Sequence, residues 1–267
     1  MLLAAAIGLL LSGCLPAPVT TSGQDVARLY DIFLTIGSIV AIIVLGLTTW
    51  CVIRYRRRRR DEPPPPQTHA NVPLEIFWTA VPLVTVGALF VLTLVALERV
   101  DSTSARPAAQ VDVTGFRWGW TFSYTGENVS VTGIGTPGPE LVVPVGEPVL
   151  LRMTAPDVAH SFYVPQFLFK RDLIPGRVNV YEFTVTQPGS YGGQCAEYCG
   201  LYHARMPFTV TAVSRPEYDA WLNAHRGPAS PAVGSPVVSQ PAPSGTPSEP
   251  AASAPPAGSA STSPGAS

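Results

Sequence analysis

Charge is scarce in this chain and almost cancels: 17 Lys and Arg stand against 18 Asp and Glu, and only 13% of the 267 residues are charged. A net charge of -1 gives no field that would gather a polyanion, which excludes nucleic acid as a partner. Cysteine is equally sparse. Of four, Cys14 and Cys51 lie in apolar N-terminal segments, which leaves the single pair Cys195 and Cys199 to a folded extramembrane region and excludes a disulfide framework. No C-x-x-C-H sequence occurs, so no c-type haem is attached to this chain. Apolar residues, by contrast, make up 46%. That is enough for one medium domain together with membrane segments and a tail.

The apolar residues are concentrated early. Residues 2–11 form a run too short to span a bilayer, and residues 1–13 read as a signal peptide. Its end, Leu11-Ser12-Gly13-Cys14, resembles a bacterial lipobox, which implies cleavage before Cys14 and a lipid anchor on that residue. An external segment, 14–28, follows. Residues 29–53, apolar apart from Asp31, and residues 73–98, with Glu75 at the start and Glu98 at the end, are each long enough to cross the hydrocarbon core, which takes about 20 residues at ~1.5 Å rise. Between them, residues 54–72 hold Arg54, Arg56 to Arg60 and Pro63 to Pro66. Arginine flanking a short loop marks the cytoplasmic side, so the N-terminus and everything after Glu98 lie outside.

From Val111 the pattern changes to short β-branched and aromatic runs separated by Gly and Pro. Strands are predicted over 111–116, 118–124, 141–145, 149–154, 161–164, 178–185, 191–194 and 208–213. A domain over 99–226 has the size of a two-sheet sandwich. Ser214-Arg215-Pro216-Glu217 is a capping box with proline in the first turn, which predicts a closing helix to about His225. Residues 227–267 are Pro, Ala, Ser and Gly with almost no charge or large apolar side chain, and are predicted to be disordered.

The chemistry is concentrated in Cys195-Ala196-Glu197-Tyr198-Cys199-Gly200-Leu201-Tyr202-His203-Ala204-Arg205-Met206. Two thiols, an imidazole and a thioether in one loop suit copper better than magnesium, calcium or manganese, which prefer oxygen ligands. Cys199, His203 and Met206 have the order of a blue-copper loop, and His160, beside a strand-like run, supplies a second imidazole. A disulfide between Cys195 and Cys199 is the competing reading, since paired cysteines outside the cytosol commonly join. His203 and Met206 at copper-loop spacing favour metal. A single copper leaves Cys195 over, whereas two metal ions can be bridged by both sulfurs.

At this point the loop resembles the copper A domain of the cytochrome c oxidase subunit II family, whose pattern C-x-E-x-C-x-x-x-H-x-x-M with an upstream histidine is filled at every position. The resemblance implies a two-helix transmembrane hairpin followed by an all-β cupredoxin-like Greek-key barrel. It implies that Cys195 and Cys199 bridge a binuclear copper centre, that His160 and His203 take one copper each, that Met206 binds weakly, and that Glu197 gives its backbone carbonyl. The Glu197 carboxylate would help hold a magnesium ion shared with the catalytic subunit. Asn71-Val72-Pro73-Leu74-Glu75-Ile76-Phe77-Trp78-Thr79-Ala80-Val81-Pro82 resembles the start of the family's second helix, where Glu75 would stand at the cytoplasmic mouth of a proton pathway. Gly115-Phe116-Arg117-Trp118-Gly119-Trp120 resembles its aromatic stretch, which makes Trp118 the residue through which electrons arrive, although the family usually carries a further aromatic where Gly119 stands. The charged turn Lys170 to Arg177 resembles the segment facing the catalytic subunit near its haem propionates.

The function so implied is electron transfer from cytochrome c to haem in a catalytic subunit I, for oxygen reduction coupled to proton transport, in a bacterial plasma membrane and in contact with lipid. Three other readings compete. A mononuclear cupredoxin carrier leaves Cys195 idle. A copper chaperone needs neither Met206 nor Trp118 and calls for a thioredoxin-like α/β pattern. A nitric-oxide or nitrous-oxide reductase subunit shares the copper motif, but the two-helix N-terminus with Glu75 argues for the oxygen-reducing complex.

Overall fold

The computed structural model describes residues 15–56 and 69–227. The segment expected to be a signal peptide, the expected anchor residue Cys14, the larger part of the arginine–proline loop and the tail from residue 228 lie outside the described residues. Helix α1 (Thr21–Arg54) and helix α2 (Val72–Asp101) have stretches of mean hydropathy 2.4 and 2.5, none of whose side chains is buried within the chain. Apolar length with no protein cover is what a bilayer-spanning helix requires. Helix α1 begins well before residue 29 because Thr20 caps it, its Oγ1 accepting the Gly23 N–H at 3.0 Å. Helix α2 is capped by Asn71, whose Oδ1 accepts the Leu74 N–H at 3.3 Å, with a proline in the first turn where no N–H is needed.

Ten strands follow: β1 (Ala109–Phe116), β2 (Gly119–Tyr124), β3 (Val129–Ile134), β4 (Glu140–Pro144), β5 (Pro148–Thr154), β6 (His160–Val164), β7 (Phe169–Leu173), β8 (Asn179–Thr184), β9 (Gly189–Cys195) and β10 (Pro207–Val213). They form two five-stranded sheets, ordered β3-β2-β1-β5-β8 and β4-β10-β9-β6-β7. One pair in each sheet, β1 with β5 and β10 with β4, is parallel. Inward residues alternate along β1, where Val111 and Val113 are fully buried, as a half-buried strand demands. The two sheets meet through aromatic rings: Trp120 of β2 lies 5.1 Å from Phe208 of β10, which stacks on Phe162 of β6 at 4.5 Å. Two apolar helices followed by this cupredoxin-like sandwich are the architecture expected. Helix α3 (Arg215–His225) closes the domain behind its capping box, in which Glu217 accepts the Ser214 N–H at 2.9 Å.

Two strands correct the sequence reading. Strand β7 runs through Lys170, Arg171 and Asp172, which had the composition of a solvated turn; the turn proper is confined to Ile174–Arg177 around Gly176. As an edge strand, β7 carries charge on its open side, the usual protection of such an edge. Strand β3 was not predicted at all. It pairs with β2 through residues 129–134, between glycine-rich turns that hide its alternation.

Candidate metal centre

The metal loop is the connection between β9 and β10, which pair antiparallel with Gln194 opposite Pro207. Cys195 ends β9 and Pro207 opens β10, so the intervening residues must fold back over the end of the sheet. A 3-10 turn over His203–Arg205 tightens the return. The Ala196 N–H donates to the Ser161 carbonyl at 3.1 Å, tying the loop to β6, and Trp120 Nε1 donates to the Met206 carbonyl at 3.0 Å from inside the core. His160 arrives from the first residue of β6, two positions before Phe162, which pairs with Cys195.

The expected ligands converge. Cys195 Sγ and Cys199 Sγ lie 4.0 Å apart, far beyond a disulfide bond, and both thiols are free and buried. His160 Nδ1 lies 3.9 Å from Cys195 Sγ, and His203 Nδ1 lies 3.6 Å from Cys199 Sγ. Met206 Sδ is 3.4 Å from Cys199 Sγ, while the Glu197 carbonyl accepts from Cys195 Sγ at 3.3 Å. The ligand atoms of His160, Cys195 and Cys199 lie within 4.8 Å of one another, as a bound ion requires. Soft sulfur and imidazole, gathered without a carboxylate among them, fit copper.

The electrostatics of the thiols favour metal over two protons. Burial raises the pKa of Cys195, but hydrogen bonding from His160 and from the Glu197 and Ser161 backbone outweighs it and brings it to about 7. Burial and the neighbouring Cys195 push Cys199 up to about 12. At neutral pH the pair therefore holds one proton strongly, and the second thiolate forms only when a cation compensates it. Burial works against a charged His160, yet Cys195 and Asp157 together raise its pKa.

Asp157 was not singled out in the sequence, and it organises the site from behind. Its Oδ1 lies 3.0 Å from His160 Nε2 and accepts the Val158 N–H at 2.7 Å, while its Oδ2 accepts the Arg117 N–H at 2.9 Å and Arg117 Nε at 3.2 Å. The carboxylate thus turns Nδ1 of His160 toward the thiols and fixes the residue before Trp118. Asp-x-x-His ahead of a strand was the available signal. Trp118 is half-buried and meets Tyr202 of the metal loop edge-to-face at 4.9 Å. The Glu197 carboxylate points away from the thiols to Lys170 Nζ at 3.4 Å, and Lys170 also holds Asp172 at 3.3 Å. Glu75 is not part of this cluster. It sits in the first turn of α2, where its Oε1 accepts the Asn71 N–H at 3.1 Å.

Two exposed apolar helices ahead of a β-sandwich, with two thiols, an imidazole and a thioether in one loop and a second imidazole brought to it by β6, define a membrane-tethered copper-binding protein. Comparison with known proteins sharpens the class. The family model "Cytochrome C oxidase subunit II, transmembrane domain" matches residues 12–98, and "Cytochrome C oxidase subunit II, periplasmic domain" matches residues 136–213. A probable cytochrome c oxidase subunit 2 of Streptomyces avermitilis is 33% identical over 246 residues, covering 78% of this chain and 77% of that one. A cytochrome c oxidase subunit 2 of Alkalihalophilus pseudofirmus is 34% identical over 226 residues, covering 80% of this chain and 64% of that one. Among solved structures, the periplasmic domain of subunit II of cytochrome oxidase of Bradyrhizobium japonicum matches with a TM-score of 0.44 at 31% identity, covering 46% of this chain and 96% of that one. The chain belongs to the cytochrome c oxidase subunit II family. It is a two-pass membrane component of a haem-copper oxidase, an oxidoreductase complex, and pairs there with subunit I.

Proposed function

We propose that this chain accepts electrons from cytochrome c at a binuclear copper A centre on the outer face of a bacterial plasma membrane and passes them to haem in subunit I. The observation that carries the reading is the composition around the thiol pair. Two sulfurs 4.0 Å apart are flanked by two imidazoles and by two weak donors, Met206 Sδ and the Glu197 carbonyl, which is one thiolate and one weak donor more than one ion of the blue-copper type uses. Two coppers sharing both thiolates would spread one electron over two nuclei, so that little bond rearrangement accompanies each transfer.

The chain's own side chains supply the rest. Cys195, Cys199, His160 and His203 would hold the two coppers, and Asp157 holds the His160 ring in register. Trp118, half-exposed and packed on the loop through Tyr202, is the residue through which electrons arrive. The Glu197 carboxylate, turned outward toward Lys170, would contribute an oxygen ligand to a magnesium ion shared with subunit I. Glu75 caps α2 at the cytoplasmic end and opens the proton pathway there. Cys14 carries the lipid anchor, and α1 and α2 contact membrane lipid and subunit I.

The full chain, produced in membranes, extracted and supplied with copper, tests this. Two coppers per chain, with hyperfine splitting shared equally by both nuclei in electron paramagnetic resonance, is the expected result. One copper with a blue-copper spectrum, or unchanged copper loading in Cys195→Ser, defeats it.

A further inference from the structure

Where α1 begins and α2 ends, a cleft of ≈ 140 Å³ lies between the two helices. Leu29 and Ile32 of α1 and Leu92, Val95 and Ala96 of α2 form its apolar part. Asp25, Arg28 and Arg99 line the end nearer the sandwich, to which Ser22 and Asp101 tie the two helices. Arg28 Nη1 and Arg99 Nη1 stand 3.7 and 3.9 Å from the same Asp25 Oδ1, with side chains 71% and 61% exposed. These separations exceed hydrogen-bond length, so both guanidinium forks remain open to a better acceptor. At ~1.5 Å per residue, Arg28 stands ~6 Å above Ile32 and Arg99 ~10 Å above Leu92 along the helix axes. The headgroup layer on each side of the hydrocarbon core is roughly 5–7.5 Å thick. The forks therefore fall at the level of lipid phosphates when the apolar part of the cleft lies among the acyl chains. A helix about 10 Å across cannot enter so narrow a slot, whereas a hydrocarbon chain can.

We infer that this cleft is a site for one phospholipid of the ethanolamine class, in the leaflet on the side of the sandwich. Arg28 and Arg99 take its phosphate, and one acyl chain lies in the slot between Leu29 and Val95. The charges around the cleft select the headgroup. Two arginines against Asp25 leave the lining positive, which suits a phosphodiester. Asp31, one turn below Arg28, and Glu98, beside Arg99, are exposed carboxylates at the flanks. With Asp25 they oppose a headgroup that is only anionic and favour one that carries an ammonium next to its phosphate. A primary ammonium can donate hydrogen bonds to these carboxylates, and the quaternary ammonium of choline cannot. The site requires only that α1 and α2 span a bilayer, and is independent of the copper chemistry proposed above.

Photolabelling of the assembled oxidase in phosphatidylcholine vesicles tests this, with a trace of phosphatidylethanolamine that carries a diazirine on one acyl chain as the probe. Peptide mapping is expected to place the label on Leu29, Ile32, Leu92 or Val95. Unlabelled phosphatidylethanolamine is expected to suppress that label at least about 5-fold more effectively than phosphatidylglycerol or further phosphatidylcholine at equal excess. The double variant Arg28→Gln/Arg99→Gln is expected to lower it about 10-fold or more, the loss of two charge-assisted contacts to phosphate. Ala96→Phe, which fills the slot and keeps both arginines, is expected to abolish it. Haem and copper content are recorded for each variant, and the competition on the unaltered oxidase decides the question where a variant does not assemble. Equal suppression by all three lipids shows ordinary boundary lipid and overturns the inference. Stronger suppression by phosphatidylglycerol overturns the headgroup assignment. Absence of label from both helices, as when another subunit covers the cleft, overturns the site altogether.

Discussion

Replacing Asp157 by Asn separates the ligands from the frame that aims them. The side chain keeps its shape and one acceptor oxygen, but it loses the charge that engages His160 Nε2, Arg117 and two backbone N–H groups. Burial alone would raise this carboxyl; the Val158 N–H, His160 and the Arg117 N–H outweigh it and bring it from 3.8 to about 2. At ~1.4 kcal/mol per pKa step this preference for the charged form corresponds to about 2.4 kcal/mol, and the remaining 22% exposure of the side chain reduces it to about 1–2 kcal/mol. Because the folded pKa is depressed, the contribution is present above pH 3.8 and is lost as pH falls toward 2. Asp157→Asn should therefore lower the apo domain's stability at neutral pH by about that amount, with little effect near pH 2. The larger effect should fall on copper. A ligating imidazole whose far nitrogen loses its carboxylate typically costs 10- to 100-fold in metal affinity, about 1.4–2.7 kcal/mol. Chelator competition on the full chain measures this, and thermal unfolding of the apo form measures the stability term. Wild-type copper affinity in a variant that shows the stability loss would refute the claim that Asp157 acts through His160.

Two further outcomes follow from the same geometry. Copper uptake by the reduced apo chain should weaken steadily below about pH 7, because Cys195, at about 7, then enters as a thiol and must give up its proton along with Cys199; proton release on copper addition, followed by titration at several pH values, reads this directly, and a flat profile from pH 5 to 8 would contradict it. Gly138→Ala should destabilise the sandwich by about 2 kcal/mol or more, because its backbone has φ +80° and a Cβ there would overlap the Pro207 carbonyl at the start of β10; thermal unfolding with and without copper checks it, and since Met206 adjoins Pro207 the loss should appear in both states.

The metal loop was legible because its chemistry is local. Cys195, Cys199, His203 and Met206 lie within one turn-back of the chain, and residue type and spacing declare the donor set without knowledge of the fold. His160 came from the resemblance and a strand prediction, and β6 delivers it because Phe162 pairs with Cys195. The transmembrane helices were legible from length and apolarity, though not the start of α1, which depends on how Thr20 and Ser22 meet the sandwich. The support of the site was not legible. Trp120 acts through a contact across the sandwich, and although Asp157 stands only three residues before His160, that spacing alone does not distinguish a carboxylate that aims a histidine from one that faces water. Strand β7 was misread for a related reason: its charges look solvated until its partners are known.

Those partners give β7 a mechanical meaning. Lys170 reaches the metal loop at Glu197, and the next residue, Arg171, reaches Asp101 at the last residue of α2. Strand β8, beside it in space, receives the other end of the connection: Glu182 accepts from the N–H and hydroxyl of Ser104, just past α2. At the start of α1, Ser22 Oγ lies 3.0 Å from the buried Tyr181 hydroxyl, Thr20 bridges Val185, and Gly23 fits against the Phe167 carbonyl where a Cβ would clash. Helix α1 is therefore pinned to edge strand β8 and to the turn just ahead of β7, and the end of α2 to edge strands β7 and β8. Because β7 also pairs with β6 along its whole length, with Leu173 opposite His160, a tilt of the hairpin would be transmitted to the histidine as well as to Glu197. The electron transfer proposed for this site, whose rate would depend on a fixed distance to the acceptor, calls for this kind of bracing, and ordinary edge-strand charges supply it.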